Sequence, residues 1–381
     1  MATQVTNYQC PNCTGPLHFE ASSGKVECEF CGSAYELDYI EKLYAAKDEK
    51  AAAAHAKAEE KRKSGGGDEW DMSGLSGSWG KDGAGMRAYS CPSCCAEIIC
   101  DENTAATSCP YCGNPTVVPG QFDGTLKPDY VIPFKLKKEA AVAALKKHYS
   151  GRPFLPKAFK DKNHIEEIKG IYVPFWLFNG EADCEAVYDC SNSRTYRSGD
   201  YDVTETDHYE VLREGLVTFS RIPVDASTKM ADDYMDSIEP FDYSELKEFS
   251  MAYMPGYLAD KYDVSVDACS ARADERAYNT AADCLRSSVG AYGSVLERHK
   301  EIRLNRGKVQ YALLPVWLLT TKWNGQNYMF AMNGQTGKFV GKLPVDKKRK
   351  WGIFAAIYAA VALVTAIGVL FPGGLLRLLG M

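Results

Sequence analysis

A doubled cysteine pattern near the start of the chain constrains its fold more than any other feature. Two Cys-x-x-Cys pairs separated by fourteen residues occur, and the same arrangement recurs with identical spacing. The eight cysteines are Cys10, Cys13, Cys28 and Cys31 in the first copy and Cys91, Cys94, Cys109 and Cys112 in the second. Structural zinc sites use four tetrahedral ligands, and each Cys-x-x-Cys turn supplies two of them. We therefore predict two Zn²⁺ ions, each held by one zinc ribbon.

The surroundings of these cysteines favour metal over disulfides. The N-terminus lacks the basic and apolar segments of a signal peptide, and paired cysteines in a reducing compartment usually bind metal. The alternative is redox chemistry, but a thioredoxin-like motif carries a single pair that opens a helix. Gly32 and Gly113 follow the second pair of each copy and allow the left-handed backbone of a tight turn. Each hairpin has few apolar residues, so it needs the metal to fold. The free energy of zinc binding is on the order of 10–16 kcal/mol in zinc-finger peptides.

The remaining cysteines lack metal-binding spacing. Cys95 is a possible competitor of Cys94, but the repeat argues against it. Cys100 is predicted to be a small buried thiol. The others are predicted to be core or surface thiols: Cys184, Cys190, Cys269 and Cys284.

The C-terminal region contains an uncharged stretch of 21 residues, 351–371. As a helix it would span roughly 31 Å, close to the thickness of a bilayer core. A basic run, 347–350, precedes it, so the positive-inside rule places the N-terminal part in the cytoplasm. We predict a single-pass cell-membrane protein anchored in the lipid bilayer; the alternative is a buried helix of a soluble domain.

The chain is predicted to be multidomain. The predicted segments are a first zinc ribbon (1–38), a helical spacer (39–63), a Gly/Ser-rich linker (64–87), a second zinc ribbon (88–120), an α+β domain (121–346) and the basic stop with a transmembrane helix and short tail (347–381). Trp70 and Trp79 are unusual in a flexible linker. They indicate either a docking element or stray aromatic residues.

Alternating apolar and polar residues in the α+β domain predict mainly antiparallel strands. Two apolar stretches resemble each other: "YVPFWLF" at 172–178 and "LLPVWLL" at 313–319. Each has a proline two residues before a tryptophan, which suggests an internal duplication. The alternative is two unrelated edge strands, since proline fits a strand mainly at an edge, a start or a bulge.

The charges argue against nucleic acid as a partner. The chain has a formal net charge of -6, and the stretch 88–118 has no basic residue. Acidic surfaces repel phosphate, so the charges disfavour nucleic-acid binding by the ribbons. No P-loop, nucleophile elbow, zinc-protease motif or dinucleotide fingerprint occurs in the sequence, so we expect a protein that is not an enzyme.

This layout of doubled Cys-x-x-Cys pairs, the two Pro-x-Trp strands, a basic stop and a C-terminal span resembles a family of bacterial membrane-anchored double zinc-ribbon proteins. These are often labelled primosomal-helicase-like, and some are similar to proteins encoded beside the phage-shock protein PspA. The resemblance implies an adaptor that recruits cytoplasmic or membrane proteins, PspA-like ones among them, in an envelope-stress response. The alternative is a membrane-tethered nucleic-acid-binding protein linked to replication. The sequence does not indicate the oligomeric state.

Overall fold

A computed structural model describes residues 8, 10–12, 17–20, 23–28, 31–63, 69–75, 77–80, 83, 86–101, 104, 108–114, 118–120, 126–156, 159, 168–290, 292–324 and 326–370. Cys13, predicted as a ligand, lies outside these residues, as does the tail at 371–381 with the last residue of the predicted span.

The N-terminal module combines a small sheet with a long helix. Its strands β1 (Leu17–Glu20), β2 (Lys25–Cys28) and β3 (Ala34–Tyr35) are antiparallel and pair in that order. Helix α1 (Leu37–Lys63) follows directly and includes the segment predicted as a helical spacer. The buried core consists of Cys10, Leu17, Val26, Cys28 and Ile40. A core of this size supplies little free energy of folding, so a cross-link through a metal is the expected supplement.

Eleven of the described strands form one large sheet. They are β4 (Met86–Ser90), β5 (Glu97–Asp101), β6 (Val118–Gly120), β7 (Tyr130–Val131), β8 (Lys169–Ser198), β9 (Tyr201–Asp225), β10 (Lys247–Glu248), β11 (Leu258–Asp260), β12 (Ser294–Trp323), β13 (Gln326–Asn333) and β14 (Phe339–Gly341). The main path runs β10-β7-β12-β8-β11-β5-β4-β6, while β9 pairs with β8 and β13 joins β12 to β14. Two pairs, β7–β12 and β11–β8, are parallel, and the others are antiparallel. The prediction of a mainly antiparallel sheet is confirmed.

Helix α4 (Val266–Ser288) covers one face of the long strands. The other helices of the large domain are α2 (Lys138–Tyr149) and the short α3 (Asp232–Ile238). The buried face of α4 includes Ala273, Ala277 and Ala281, which recur every four residues. Side chains at this spacing share one face of a helix, and small ones let the helix approach the sheet closely. The facing stretch of β8 alternates buried Ala182, Cys184, Ala186, Tyr188 and Cys190 with more exposed residues.

The two similar apolar stretches are neighbours at the centre of the sheet. Pro174 lies opposite Leu313, and Pro315 lies opposite Tyr172. On its edge away from β12, strand β8 pairs with β11 before Pro174 and with β9 after it. On its edge away from β8, strand β12 pairs with β7 before Pro315 and with β13 after it. Proline has no N–H group to donate, but at these two positions its absence removes no hydrogen bond between β8 and β12. Both strands are interior, so the edge-strand alternative is wrong.

The order of elements is also repeated around these strands. A short strand, a helix and a long hairpin follow one another as β7–α2–β8–β9 and again as β11–α4–β12–β13. The short strand of each set pairs in parallel with the long strand of the other. This order is compatible with an internal duplication, which stays a prediction.

The second cysteine hairpin belongs to the large sheet. Strand β5 pairs with β11, with Ile99 opposite Ala259 and Ile98 opposite Asp260. Ile98 is fully buried in a core shared with β8 and β12. The hairpin therefore does not stand apart from the domain that follows it.

The described part of the predicted linker packs against this domain. Trp70 is buried and contacts Phe178 edge to face, with ring centroids 4.7 Å apart. The backbone of Asp71 bonds on both sides of Lys308, through Gly307 and Val309. Trp79 packs edge to face on Phe249 at 5.4 Å. The described residues of 69–80 thus form a docked strap rather than a free spacer. This agrees with the interpretation of Trp70 and Trp79 as a docking element.

The C-terminal helix α5 (Lys347–Leu370) projects from the large domain. Its stretch Lys347–Ala366 is long and apolar enough to cross a membrane, and none of that stretch is buried in the protein. Large apolar side chains such as Trp351, Phe354 and Leu363 are more than half exposed. The alternative of a helix buried in a soluble core is therefore wrong for this segment.

The docking of the strap can be tested by replacing Trp70 with Ala. Loss of this buried side chain is expected to lower the stability of the large domain by about 3–5 kcal/mol, since Trp→Ala leaves a cavity. Thermal unfolding of the purified protein, followed by circular dichroism, measures the change. Tyr201→Ala, at a position 78% exposed, is the control and should have little effect. Equal stabilities of both variants would contradict the docking.

Candidate metal centres

The second cluster brings all four predicted sulfurs together. The Sγ atoms of Cys91, Cys94, Cys109 and Cys112 lie within 4.8 Å of one another. The Cys91–Cys112 and Cys94–Cys109 Sγ pairs are both 3.6 Å apart. A tetrahedron with Zn–S bonds of about 2.3 Å has sulfurs separated by about 3.8 Å, whereas a disulfide requires about 2.05 Å. The donor set and its spacing therefore fit one tetrahedral metal ion.

The backbone of each turn explains why the sulfurs converge. The N–H of Cys91 donates to the carbonyl of Ala96, and the N–H of Cys95 donates to that of Cys91. The N–H groups of Cys109 and Gly113 bond in the same way, to Asn114 and Cys109 respectively. Two nested bonds fold the chain back over one turn, so both cysteines of a pair face the same point.

In the three described turns, the residue after the second cysteine has a left-handed backbone. Gly32 and Gly113 have φ of +70° and +71°, as the sequence predicted. Cys95 holds the equivalent place with φ 56°, and its side chain is exposed and outside the cluster. Cys95 therefore does not compete with Cys94 for metal in this arrangement, and its backbone is strained at the place that Gly32 and Gly113 hold in their turns.

The first cluster is assembled by the same local geometry. The Sγ atoms of Cys10, Cys28 and Cys31 lie within 4.8 Å of one another, and Cys10 and Cys31 are 3.6 Å apart. The N–H of Cys28 donates to Ser33, and the N–H of Gly32 donates to Cys28. Three sulfurs are thus in place to hold a metal ion; the fourth predicted ligand, Cys13, lies outside the described residues.

The thiols of the second cluster must lose their protons in order to bind a cation. Burial raises the pKa of Cys109 to about 11 and raises that of Cys94. At Cys91 burial acts in the same direction, but N–H groups of Cys94 and Ser93 and the thiol of Cys112 lower its pKa to about 7. Four thiolates cannot share this space without a positive charge at their centre, and a divalent ion supplies it.

A buried carboxyl group lies beside the second cluster. Asp260 of β11 is 1% exposed and accepts a hydrogen bond of 2.5 Å from the Ser227 hydroxyl. Burial raises its pKa to about 7, and the phenol of Tyr111, inside the Cys109–Cys112 turn, interacts with it. Within the described residues, neither the Tyr111 hydroxyl nor Oδ1 of Asp260 has a hydrogen-bond partner, so the strands carry the connection between this turn and the sheet. Sequence reasoning missed Asp260 and Ser227, since neither lies in a motif.

The other cysteines behave as predicted. Cys100 is fully buried and its thiol donates to the carbonyl of Thr104 at 2.9 Å. Cys184, Cys190 and Cys269 are buried, and Cys284 is exposed.

Loss of either cluster should remove one zinc ion, but only loss of the second should affect the large domain. We expect two equivalents of zinc per chain, and one after either Cys28→Ser or Cys109→Ser. Only Cys109→Ser should also lower the melting temperature of the large domain, because its cluster is built on β4–β6 of that sheet. Elemental analysis and circular dichroism measure both effects, and Cys284→Ser is the control. An equal loss of stability in both variants would contradict this difference, in which only the second cluster is built into the large sheet.

Replacing Cys95 with Gly should stabilise the protein. A left-handed residue with a side chain costs about 1–2 kcal/mol, which glycine avoids, while Cys95→Val should be destabilising. Zinc content should be unchanged in both variants. Loss of one zinc equivalent from Cys95→Gly would instead make Cys95 a ligand.

Comparison with known proteins identifies one relative over nearly the whole chain. No family model matches the sequence, and no solved structure matches it. A Bacillus subtilis (strain 168) protein, described as "Uncharacterized protein YdjG", is 32% identical over 370 residues, which cover 97% of this chain and 99% of the relative. Identity at this level over both full lengths shows common descent. The chain belongs to the same protein family as YdjG.

Proposed function

We propose that this protein is a membrane-anchored adaptor, without enzymatic activity, that recruits protein partners through two zinc-loaded cysteine modules. The observation that carries the proposal is the combination, in one chain, of thiol clusters spaced for a tetrahedral ion and an apolar helix that no described part of the protein covers. In this proposal the clusters supply the binding modules and the helix supplies the anchor.

Zinc is the metal that best suits these donors. Sets of four thiolates in a tetrahedral arrangement favour zinc, and a site closed by four protein ligands is structural rather than catalytic. Each cluster in this proposal is a zinc ribbon, in which the ion stabilises a hairpin with a small core. Thiolates of this kind require a reducing compartment, which places both modules in the cytoplasm.

The anchor is helix α5. Its exposed apolar side chains need a hydrophobic solvent, and the lipid bilayer is one that fits a helix of this length. Lys347, Lys348, Arg349 and Lys350 are exposed at its start, which favours retention of that end in the cytoplasm. In this orientation the large domain lies close to the inner face of the cell membrane.

Surface chemistry favours protein partners over nucleic acid. The N-terminal module exposes the apolar side chains of Phe19 and Tyr39, 60% and 53% accessible. Its single cation among the described residues of β1–β3, Lys25, is engaged by Glu36 at 3.0 Å. Exposed aromatic groups are typical anchors of protein interfaces, while an acidic surface repels phosphate. PspA-like proteins are candidate partners on the basis of the family resemblance.

Affinity capture from detergent-solubilised membranes tests recruitment. Phe19→Ser leaves the cysteines intact and should reduce recovery of the partner about tenfold, as expected for an interface anchor. Leu296→Ser, at a 66% exposed position of β12, is the control and should recover the partner normally. A variant with all eight ligand cysteines replaced by Ser should recover none. Equal recovery by every variant would contradict the proposal, and nucleic-acid binding with a steep salt dependence would favour the alternative.

A further inference from the structure

Two adjoining open clefts lie where the large domain meets helix α5. Their volumes are about 520 and 440 Å³, within the range of ligand-binding sites. They share a wall formed by the loop after α2, residues 151–155, and Arg152 lines both. Arg349 lines the larger cleft, and Pro344 and Val345 line the smaller. We call the pair the basic cleft.

The basic cleft is held in a defined position relative to the helix. The N–H of Asp346 donates to the carbonyl of Phe154 at 2.8 Å, which ties the loop to the start of α5. The Asp346 carboxylate accepts the N–H of Arg349 at 3.0 Å and so caps the helix. The two walls of the cleft therefore cannot separate without breaking these bonds.

Positive charge concentrates around this cleft. Arg152 and Arg349 are exposed, and within the described part of the chain neither guanidinium pairs with a carboxylate. Cations on both flanking segments add to them: Lys146, Lys147, Lys347, Lys348 and Lys350. His148 faces the smaller cleft and bonds to the Gly341 carbonyl at 3.0 Å. Burial and the charge of Arg152 outweigh this bond and lower the His148 pKa.

The cleft also has apolar side chains near the start of the proposed membrane helix. Leu155 and Pro344 are buried beneath it, and Val345 is exposed. Trp351, 68% exposed, lies two residues beyond Arg349 at the start of the apolar stretch. Guanidinium groups above apolar side chains match a molecule with an anionic phosphate next to hydrocarbon.

From this geometry, we propose that the basic cleft binds the headgroup of an anionic phospholipid, with Arg152 and Arg349 holding its phosphate. This inference rests on the proposed membrane anchor, because only then does the cleft lie at headgroup level. Lysine runs attract anionic lipids without specificity, whereas two guanidinium groups in one cleft provide directed bonds to phosphate oxygens.

Native mass spectrometry of the full chain in detergent tests the lipid preference. Wild-type protein should retain more bound phosphatidylglycerol than phosphatidylcholine. Arg152→Gln with Arg349→Gln should reduce that preference about tenfold or more, the effect of losing bonds to a charged group. Lys347→Gln with Lys350→Gln removes the same charge from the same region but not from the cleft lining, and should reduce it less than about threefold, as for exposed ions.

The outcomes separate the alternatives. Equal losses in the two double variants, with zinc content and circular dichroism unchanged, would overturn the cleft in favour of non-specific attraction. No phosphatidylglycerol preference in the wild type would also overturn it. Displacement of the lipid by millimolar glycerol phosphate would assign the cleft to a free phosphate ester. Alkaline extraction of membranes tests the anchor separately: release of the wild type would contradict the anchor, whatever the lipid preference.

Discussion

The pairing of β8 with β12 is the interaction on which the rest of the large domain depends. These two long strands form the centre of the sheet, and β9, β11, β7 and β13 are all hydrogen-bonded to one or the other. Each central strand changes neighbours at a proline, Pro174 or Pro315, where no bond of the ladder is lost. The sheet can therefore recruit different short strands along its length without interrupting its core.

The two cysteine clusters are connected to this central sheet in different ways. The second cluster is continuous with the sheet through β5 and β11, and Tyr111 of its second turn is buried. The first cluster stands on its own three strands and a helix. The docked strap around Trp70 and Asp71 shortens the connection between them, since the chain is attached to the sheet again soon after α1 ends at Lys63. Equal spacing in sequence thus serves one module whose strands belong to the large sheet and another whose strands form a sheet of their own.

The junction of the large domain with helix α5 combines charge with apolar surface. Asp346 joins the loop after α2 to the first turn of α5, so the orientation of the helix is coupled to that of the sheet. If α5 is anchored in a bilayer, headgroup contacts in the basic cleft and the position of the domain at the membrane surface are coupled as well. A recruiting protein benefits from such an arrangement, because a fixed orientation limits the volume in which its modules search for a partner.

Local patterns in the sequence determined the cysteine turns, the glycines with positive φ, the antiparallel strands and the apolar C-terminal helix. Each depends on residues close together in the chain: a Cys-x-x-Cys turn needs only nested backbone bonds, and an uncharged run needs only its own composition. The duplication suggested by "YVPFWLF" and "LLPVWLL" stays a prediction, although the order of elements repeats around them.

Tertiary structure alone decided the contacts between distant segments. The sequence placed the second cysteine hairpin in a domain of its own and a flexible spacer before it, but β5–β11 pairing and the burial of Trp70 depend on partners far along the chain. The same holds for Cys95, whose strained backbone follows from the turn and not from its residue type, and for Asp260 and Arg152, which belong to no motif. Packing, hydrogen bonds and clefts form between segments that only the folded chain brings together. Local sequence patterns therefore cannot predict them.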